Sequence, residues 1–205
     1  MTTFANAFLS HRNYFVPHMR CKSVADINYK ALKAKGIKYI IFDKDNTVTL
    51  PYERRYADLG VKKSILDDCM DVFGKEHMAL LSNSAGSKDD KDYHEASDCE
   101  HELKVNFIRH QNKKPAVLDD IMKHFKHCDE ECEIAIVGDR VLSDIVMGNK
   151  YGFLTIYVEP IDRTRDNFVV KIVRKFEDRL LPLICPKQAP SHSLVSDVSD
   201  LIKVK

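Results

Sequence analysis

No stretch of this 205-residue sequence approaches the ~18 consecutive apolar residues that a membrane-spanning helix requires. Its amino-terminal stretch lacks a continuous apolar core behind a charged start, so no secretory signal is expected. The six cysteines form no CxxC pair and no evenly spaced framework, which argues against a disulfide scaffold and fits free thiols in a reducing compartment. GxGxxG is absent, so the turn at Gly138-Asp139 is not a dinucleotide loop. There is no internal repeat. A net charge of +1 names no partner, and nothing here asks for nucleic acid. What is present is a 44% hydrophobic composition, enough for a full core, at a length that favours one domain with short additions.

Apolar runs alternate with helical patterns. Tyr39 to Phe42, His77 to Leu81, Val105 to Ile108, Ile134 to Val137 and Phe153 to Val158 read as five buried strands. Between them, Asn28 opens a helix that Gly36 stops, and a helical period marks Ile65, Leu66, Cys69, Met70 and Phe73. Lys88 to Glu100 reads as a polar helix, with Asp89, Asp90 and Asp92 solvated in its first turn. Pro115 is expected at the first position of the next helix, and a short helix runs to Tyr151. Such alternation predicts an α/β fold, a doubly wound parallel sheet covered by helices.

The strand ends carry the chemistry. The first ends in Asp43-Lys44-Asp45-Asn46-Thr47, and ligands bind beyond the carboxyl ends of parallel strands. A carboxylate at the strand tip, Asp43, can attack phosphorus as a nucleophile. Asp45, two residues on, can protonate a leaving alkoxide and later take a proton from water. Two anions facing a phosphate need a hard, oxygen-liganded cation, for which Mg2+ is the natural choice. The second strand end offers Ser82 and Asn83, a hydroxyl and an amide for phosphoryl oxygens. Lys114 follows the third. The fourth gives Asp139 and Asp144, acids able to complete a cation's shell. Around one point, these groups would position and neutralise a transferring phosphoryl group.

DxDxT, a strand ending in Ser, a Lys, and GDxxxxD in this order resemble the phosphatases of the haloacid dehalogenase superfamily. The resemblance implies Asp43 as nucleophile, Asp45 as acid/base, Ser82 on the phosphoryl group and Lys114 steadying charge. It implies Asp139 as a metal ligand beside Asp43, with the Asp45 carbonyl, and Asp144 acting through water or by holding Lys114. A narrower likeness lies in FDKDNT, LLSNSAGSKDDKDY, IRHQNKKP and IAIVGDRVLSDIVMGN. These runs resemble the mitochondrial phosphatidylglycerophosphate phosphatases of the yeast type and their bacterial relatives. That family converts phosphatidylglycerophosphate to phosphatidylglycerol on the route to cardiolipin. The resemblance implies a mitochondrial protein on the matrix side of the inner membrane, or a cytoplasmic one if the source is bacterial. The alternatives are a phosphatase of the same fold for a nucleotide, sugar phosphate or phosphoprotein, and a non-catalytic scaffold.

Spacing bears on substrate size. Neither Asp45 to Ser82 nor Ser82 to Lys114 has room for a cap domain, so the domain is expected to be capless and its site open. An open site suits a large or surface-fixed substrate such as a phospholipid; a neighbouring subunit covering it in a homo-oligomer is the other reading. Arg109, His110 and Arg140 are candidates for a second phosphate on the substrate, or are plain surface cations. Residues 161–181 combine an apolar face (Val169, Val170, Ile172, Val173, Phe176, Leu180) with Arg163, Arg165, Lys171, Arg174, Lys175 and Arg179. That helix either covers the sheet edge or lies on an anionic membrane, giving peripheral association. His124, His127, Cys128 and Cys132 match no common zinc spacing and read as a surface helix end. Residues 1–23, free of acids, read as a basic amphipathic segment or targeting peptide, 24–183 as the domain, and 184–205 as a disordered tail.

Overall fold

The computed structural model describes residues 11–57 and 64–203. Residues 1–10 of the amino-terminal segment, and 58–63 ahead of the helix expected in 57–73, lie outside them. Six parallel strands form one sheet: β1 (Met19–Cys21), β2 (Tyr39–Phe42), β3 (Met78–Leu80), β4 (Asn106–Phe107), β5 (Ile134–Gly138) and β6 (Leu154–Val158). Their spatial order is β1-β6-β5-β2-β3-β4. The chain winds outward from β2 through β3 to β4, then restarts at β5 on the other side of β2. The sheet is therefore doubly wound, with its switch point between β2 and β5, where ligands of such sheets bind.

Alternation along each strand divides the core into two layers. Ile40 and Phe42 of β2 join Ala135 and Val137 of β5 on one face, with Leu32, Leu66 and Leu154. Tyr39 and Ile41 join Ile134 and Ile136 on the other, with Ile121, Met147 and Phe153. Both faces are covered, which is why these strands read as continuous apolar runs. The helices are α1 (Tyr29–Ala34), α2 (Asp67–Phe73), α3 (His94–Leu103), α4 (Leu118–His124), α5 (Val146–Tyr151), α6 (Phe168–Arg179) and α7 (Leu181–Ile184). Asn28 caps α1 through Ala31 N, as its sequence predicts. Among the described residues, no helix is long and apolar enough to cross a membrane.

Several expectations need correction. Met19–Cys21 is not part of an appended segment: it pairs with Ile156–Val158 as the edge strand. The tail is ordered by packing. Val195 and Leu201 are buried in the larger core layer, and Ile202 bridges to Ile27. Val195, Val198 and Leu201, with backbone hydrogen bonds from Asn28 N to Leu201 O and from Lys203 N to Asp26 O, dock a segment whose composition is otherwise that of a disordered one. Pro115 does not open a helix. The Lys114–Pro115 peptide is cis within a turn closed by the Ala116 amide on Lys113 O (3.0 Å), Asn83 Oδ1 accepts from the Lys114 amide (2.9 Å), and α4 starts only at Leu118. Nor is Asp90 merely solvated: its carboxylate accepts from Gly86, Glu95 and Ala96 amides, each at 2.9 Å, tying the loop after β3 to the start of α3.

Candidate active site

Three strand ends and one loop meet beside the switch point. β2 delivers Asp43, whose amide donates to Val137 O (2.8 Å), locking the strand tip against β5. β5 ends at Gly138, followed by Asp139. A π-helical turn (Val141–Ile145) then swings Asp144 back beneath Gly138. Only glycine fits at 138, since a Cβ there would lie 2.5 Å from Asp144 Cγ. Lys114 reaches in from the loop after β4. Its Nζ donates to Asp43 Oδ1 and to Asp144 Oδ1, both at 2.5 Å, in a fully buried triad. Asp144 Oδ2 accepts from Ser143 Oγ (3.2 Å) and Arg140 N (3.3 Å). Asp144 therefore holds Lys114, one of the two roles expected for it.

Beyond Asp43 lies an open cavity of about 190 Å³, lined by Asp45, Asn46, Tyr52, Ser82, Asn83 and Arg140 among others. Ser82 Oγ accepts from Ser84 N (3.2 Å), a turn that fixes its hydroxyl at the strand end. The flap of residues 45–57 covers one side. Asp45 Oδ1 accepts from Lys44 Nζ (2.7 Å) and Tyr52 N (3.0 Å). Lys44 is itself buried and also donates to Glu53 O (2.9 Å). Arg140 leaves its Nε buried without a partner among the described residues.

Two sequence candidates are not brought to the cavity. Arg109 pairs with Glu100 and donates to Phe107 O (3.0 Å), so its charge is spent on α3. His110 is buried; its Nε2 hydrogen-bonds Ser82 O (2.8 Å) and its Nδ1 the carbonyl of Asn112. It braces the Ser82 backbone and faces no ligand. The cluster of His124 and the nearby cysteines assembles no ligand set. Among the described residues, only Asp43, Asp139 and Asp144 come together as a candidate metal group, one oxygen from each within 4.8 Å of the others.

Sequence reasoning missed Arg174, Asp166 and Asn46. Arg174, from α6, lies buried with its guanidinium on the Asp139 carboxylate; Nη1 donates to Asp139 O (3.0 Å) and Nε to Asp166 Oδ2 (2.5 Å). Asn46 donates to Asp166 Oδ1 (2.8 Å) and accepts from Asp162 N (2.8 Å), joining the flap to the loop before α6. The available signal was small: Arg174 sits between Val173 and Lys175 in a basic helix, and nothing local separates it from the solvated cations beside it.

The electrostatics follow from burial. Asp43 is pushed up to about 6, first by loss of water, opposed by Lys114 and reinforced by the charges of Asp144 and Asp45. Asp139 is pushed up to about 8, again by burial first, then by the Asp43 charge, with Arg174 pulling the other way. Burial alone would lower the Lys114 ammonium, yet Asp144 and Asp43 outweigh it and raise its pKa, keeping it charged. The site is thus short of positive charge despite three buried cations, Lys44, Lys114 and Arg174. Three converging hard carboxylate oxygens suit a divalent ion of the Mg2+ kind.

The six parallel strands, wound outward both ways from β2, define a doubly wound α/β domain with no inserted cap among the described residues. Residues 2–162 match the family model described as mitochondrial PGP phosphatase, and the chain belongs to that family. It is 40% identical to a chloroplastic/mitochondrial phosphatidylglycerophosphate phosphatase 1 of Arabidopsis thaliana, over 94% of this chain and 55% of that protein. Identity is 34% to a chloroplastic counterpart of Chlamydomonas reinhardtii, over 85% of this chain and 64% of that protein. A mitochondrial phosphatidylglycerophosphatase of Saccharomyces cerevisiae is 28% identical over 68% of this chain and 76% of its own length. The chain spans between half and two thirds of the plant and algal relatives.

Proposed function

We propose that this protein is a Mg2+-dependent phosphatidylglycerophosphate phosphatase working through a phospho-Asp43 intermediate. One observation carries the chemistry. Asp43 stands at the switch point with Lys114 and Asp144 behind it, Asp139 beside it, and an open cavity in front. The substrate follows from family membership and from the absence, among the described residues, of any inserted cap over that cavity.

In the first step an Asp43 carboxylate oxygen attacks phosphorus and the ester P–O bond breaks. The departing alkoxide takes a proton from Asp45, carried on Oδ2 because Oδ1 is taken up by Lys44 and Tyr52. In the second step Asp45 takes a proton from water, which attacks phosphorus; the acyl-phosphate bond breaks and inorganic phosphate leaves. Ser82 and the amide nitrogen of Asn83 hold phosphoryl oxygens, while Asn83 Oδ1 is committed to Lys114 N. Lys114, locked by Asp144, offsets charge on Asp43 throughout. Arg140, lining the cavity, is the cation available to the substrate's second phosphate. Asp43, Asp139 and the Asp45 carbonyl would hold Mg2+, with Asp144 contributing through water. When bound, the ion neutralises charge on the transferring group and orients it. The same reading sets the protein in mitochondria, at the matrix side of the inner membrane, supported by the family's description and by the acid-free first 25 residues.

The test is phosphate release from phosphatidylglycerophosphate in mixed micelles, with Mg2+ and with chelator, beside a panel of soluble phosphomonoesters. A strong Mg2+-dependent preference for the lipid is expected. Equal activity of wild type and Asp43→Asn would sink the nucleophile, and activity on soluble esters alone would sink the substrate.

A further inference from the structure

Helix α6 is amphipathic with its polar side inward. Its buried residues are Arg174 and Glu177: the first grips Asp139, the second accepts from Leu142 N (2.7 Å). Val170 and Val173 are half-buried on the inner side, and its other apolar residues face out. Phe168 is 76% exposed, Val169 68%, Ile172 52%, Phe176 38% and Leu180 47%; Leu183, on α7, is 80% exposed. Residues 168, 172, 176 and 180 are spaced four apart and fall on one stripe with 169. The helix covers part of the site with Arg174, Glu177 and the half-buried Val170, leaving its exposed hydrophobic stripe to something else. An exposed apolar patch of this continuity marks an interaction surface.

The charges beside the stripe say what that partner is. Exposed Lys171 and Lys175 border it and Arg179 lies within it. Lys175 and Arg179 meet no carboxylate among the described residues. An apolar stripe edged by lysine and arginine is the pattern of a helix lying in a bilayer interface, drawn there by anionic headgroups. The location agrees. Asn167, Val170 and Arg174 of the same segment line the catalytic cavity, and Asn167 Nδ2 donates to the hydroxyl of Tyr52 (3.3 Å), a flap residue 70% exposed. A surface resting on the stripe would border the cavity mouth.

We propose that the outer face of α6 and α7 docks this protein on an anionic lipid bilayer, so that a lipid headgroup passes directly from the membrane into the Asp43 cavity. This inference rests on the lipid-phosphatase reading and names the surface that reading requires.

The test uses the full chain and sedimentation with phosphatidylcholine vesicles, either pure or containing one third phosphatidylglycerol. Wild type is expected to pellet with the anionic vesicles, less so as salt is raised. The double variant Ile172→Ser/Leu183→Ser, altered only at exposed positions, is expected to lose roughly tenfold or more in vesicle affinity. Its Mg2+-dependent hydrolysis of p-nitrophenyl phosphate should be unchanged. Wild type left in the supernatant, or a variant that binds as well as wild type, would overturn the proposal. So would a wild-type oligomer that the variant dissociates while vesicle binding persists, since the stripe would then be the contact with a second copy. Failure of the phosphatase reading has its own signature, no Mg2+-dependent phosphate release from any ester, whatever the vesicles show.

Discussion

Asp43 and Asp45 sit two residues apart, yet their surroundings differ sharply. Asp43 is buried against Lys114, whereas Asp45 lines the cavity on a bridge from Lys44. That difference supports nucleophile and acid/base roles, and it gives a measurable split. Asp45→Asn is expected to slow hydrolysis of alkyl phosphates by about 10²–10⁴-fold. Aryl phosphates, whose leaving groups need less protonation, should suffer less; equal losses in a kcat comparison would remove Asp45 from the role. A second prediction concerns pH. Asp43 and Asp139 are raised from 3.8 to about 6 and about 8. Each binds protons more tightly folded than unfolded, so its contribution to stability is full below 3.8 and is lost as pH rises through those folded values. A bound divalent ion takes the place of those protons on the ionised carboxylates. The rise in Tm on replacing chelator with Mg2+ should therefore be larger at pH 8 than at pH 5, and calorimetry finding equal increments would contradict the metal assignment. Asp43, Ser82 and Asp139 were legible as candidates because each follows the end of a strand, and Lys114 and Asp144 because they come at set places in the same order. Arg174 was not, since an ion pair between residues 35 apart leaves no local pattern.

At the scale of elements, hydrophobic periodicity located the strands and most helices because burial on both sheet faces writes itself into sequence. It found the apolar stripe of α6 as well, but a stripe does not say whether it faces protein or solvent. Reading it as the cover of a sheet edge follows the common case, and here the most buried residues of the helix are Arg174 and Glu177 while most of the stripe is exposed. Short elements were also blurred: β4 has two residues, and α3 begins at His94 after a separate turn at Lys91–Tyr93. One helix–sheet contact invites a test. At Gly148 in α5 a Cβ would lie 2.4 Å from Thr155 Cγ2 and 2.5 Å from Ile136 Cγ2, both branched side chains of central strands. Gly148→Ala is expected to cost about 1–3 kcal/mol through overpacking, although alanine favours helix. A urea midpoint unchanged or raised would show that the strands can yield.

For the whole molecule, the two ends of the described chain are structural. Ile27 and Leu32 share a core layer with Val195 and Leu201, and the domain boundary drawn at 183 cuts through that packing. Leu201→Ala is expected to destabilise by about 2–5 kcal/mol, read from chemical denaturation, which a disordered tail would not do. The same clasp has a consequence in time. The Asn28 amide donates to Leu201 O and the Lys203 amide to Asp26 O, both at 2.8 Å, so the two bonds lie side by side in one clasp. In deuterium exchange these two amides, far apart in sequence, should show one common protection, as a single latch lifting and falling.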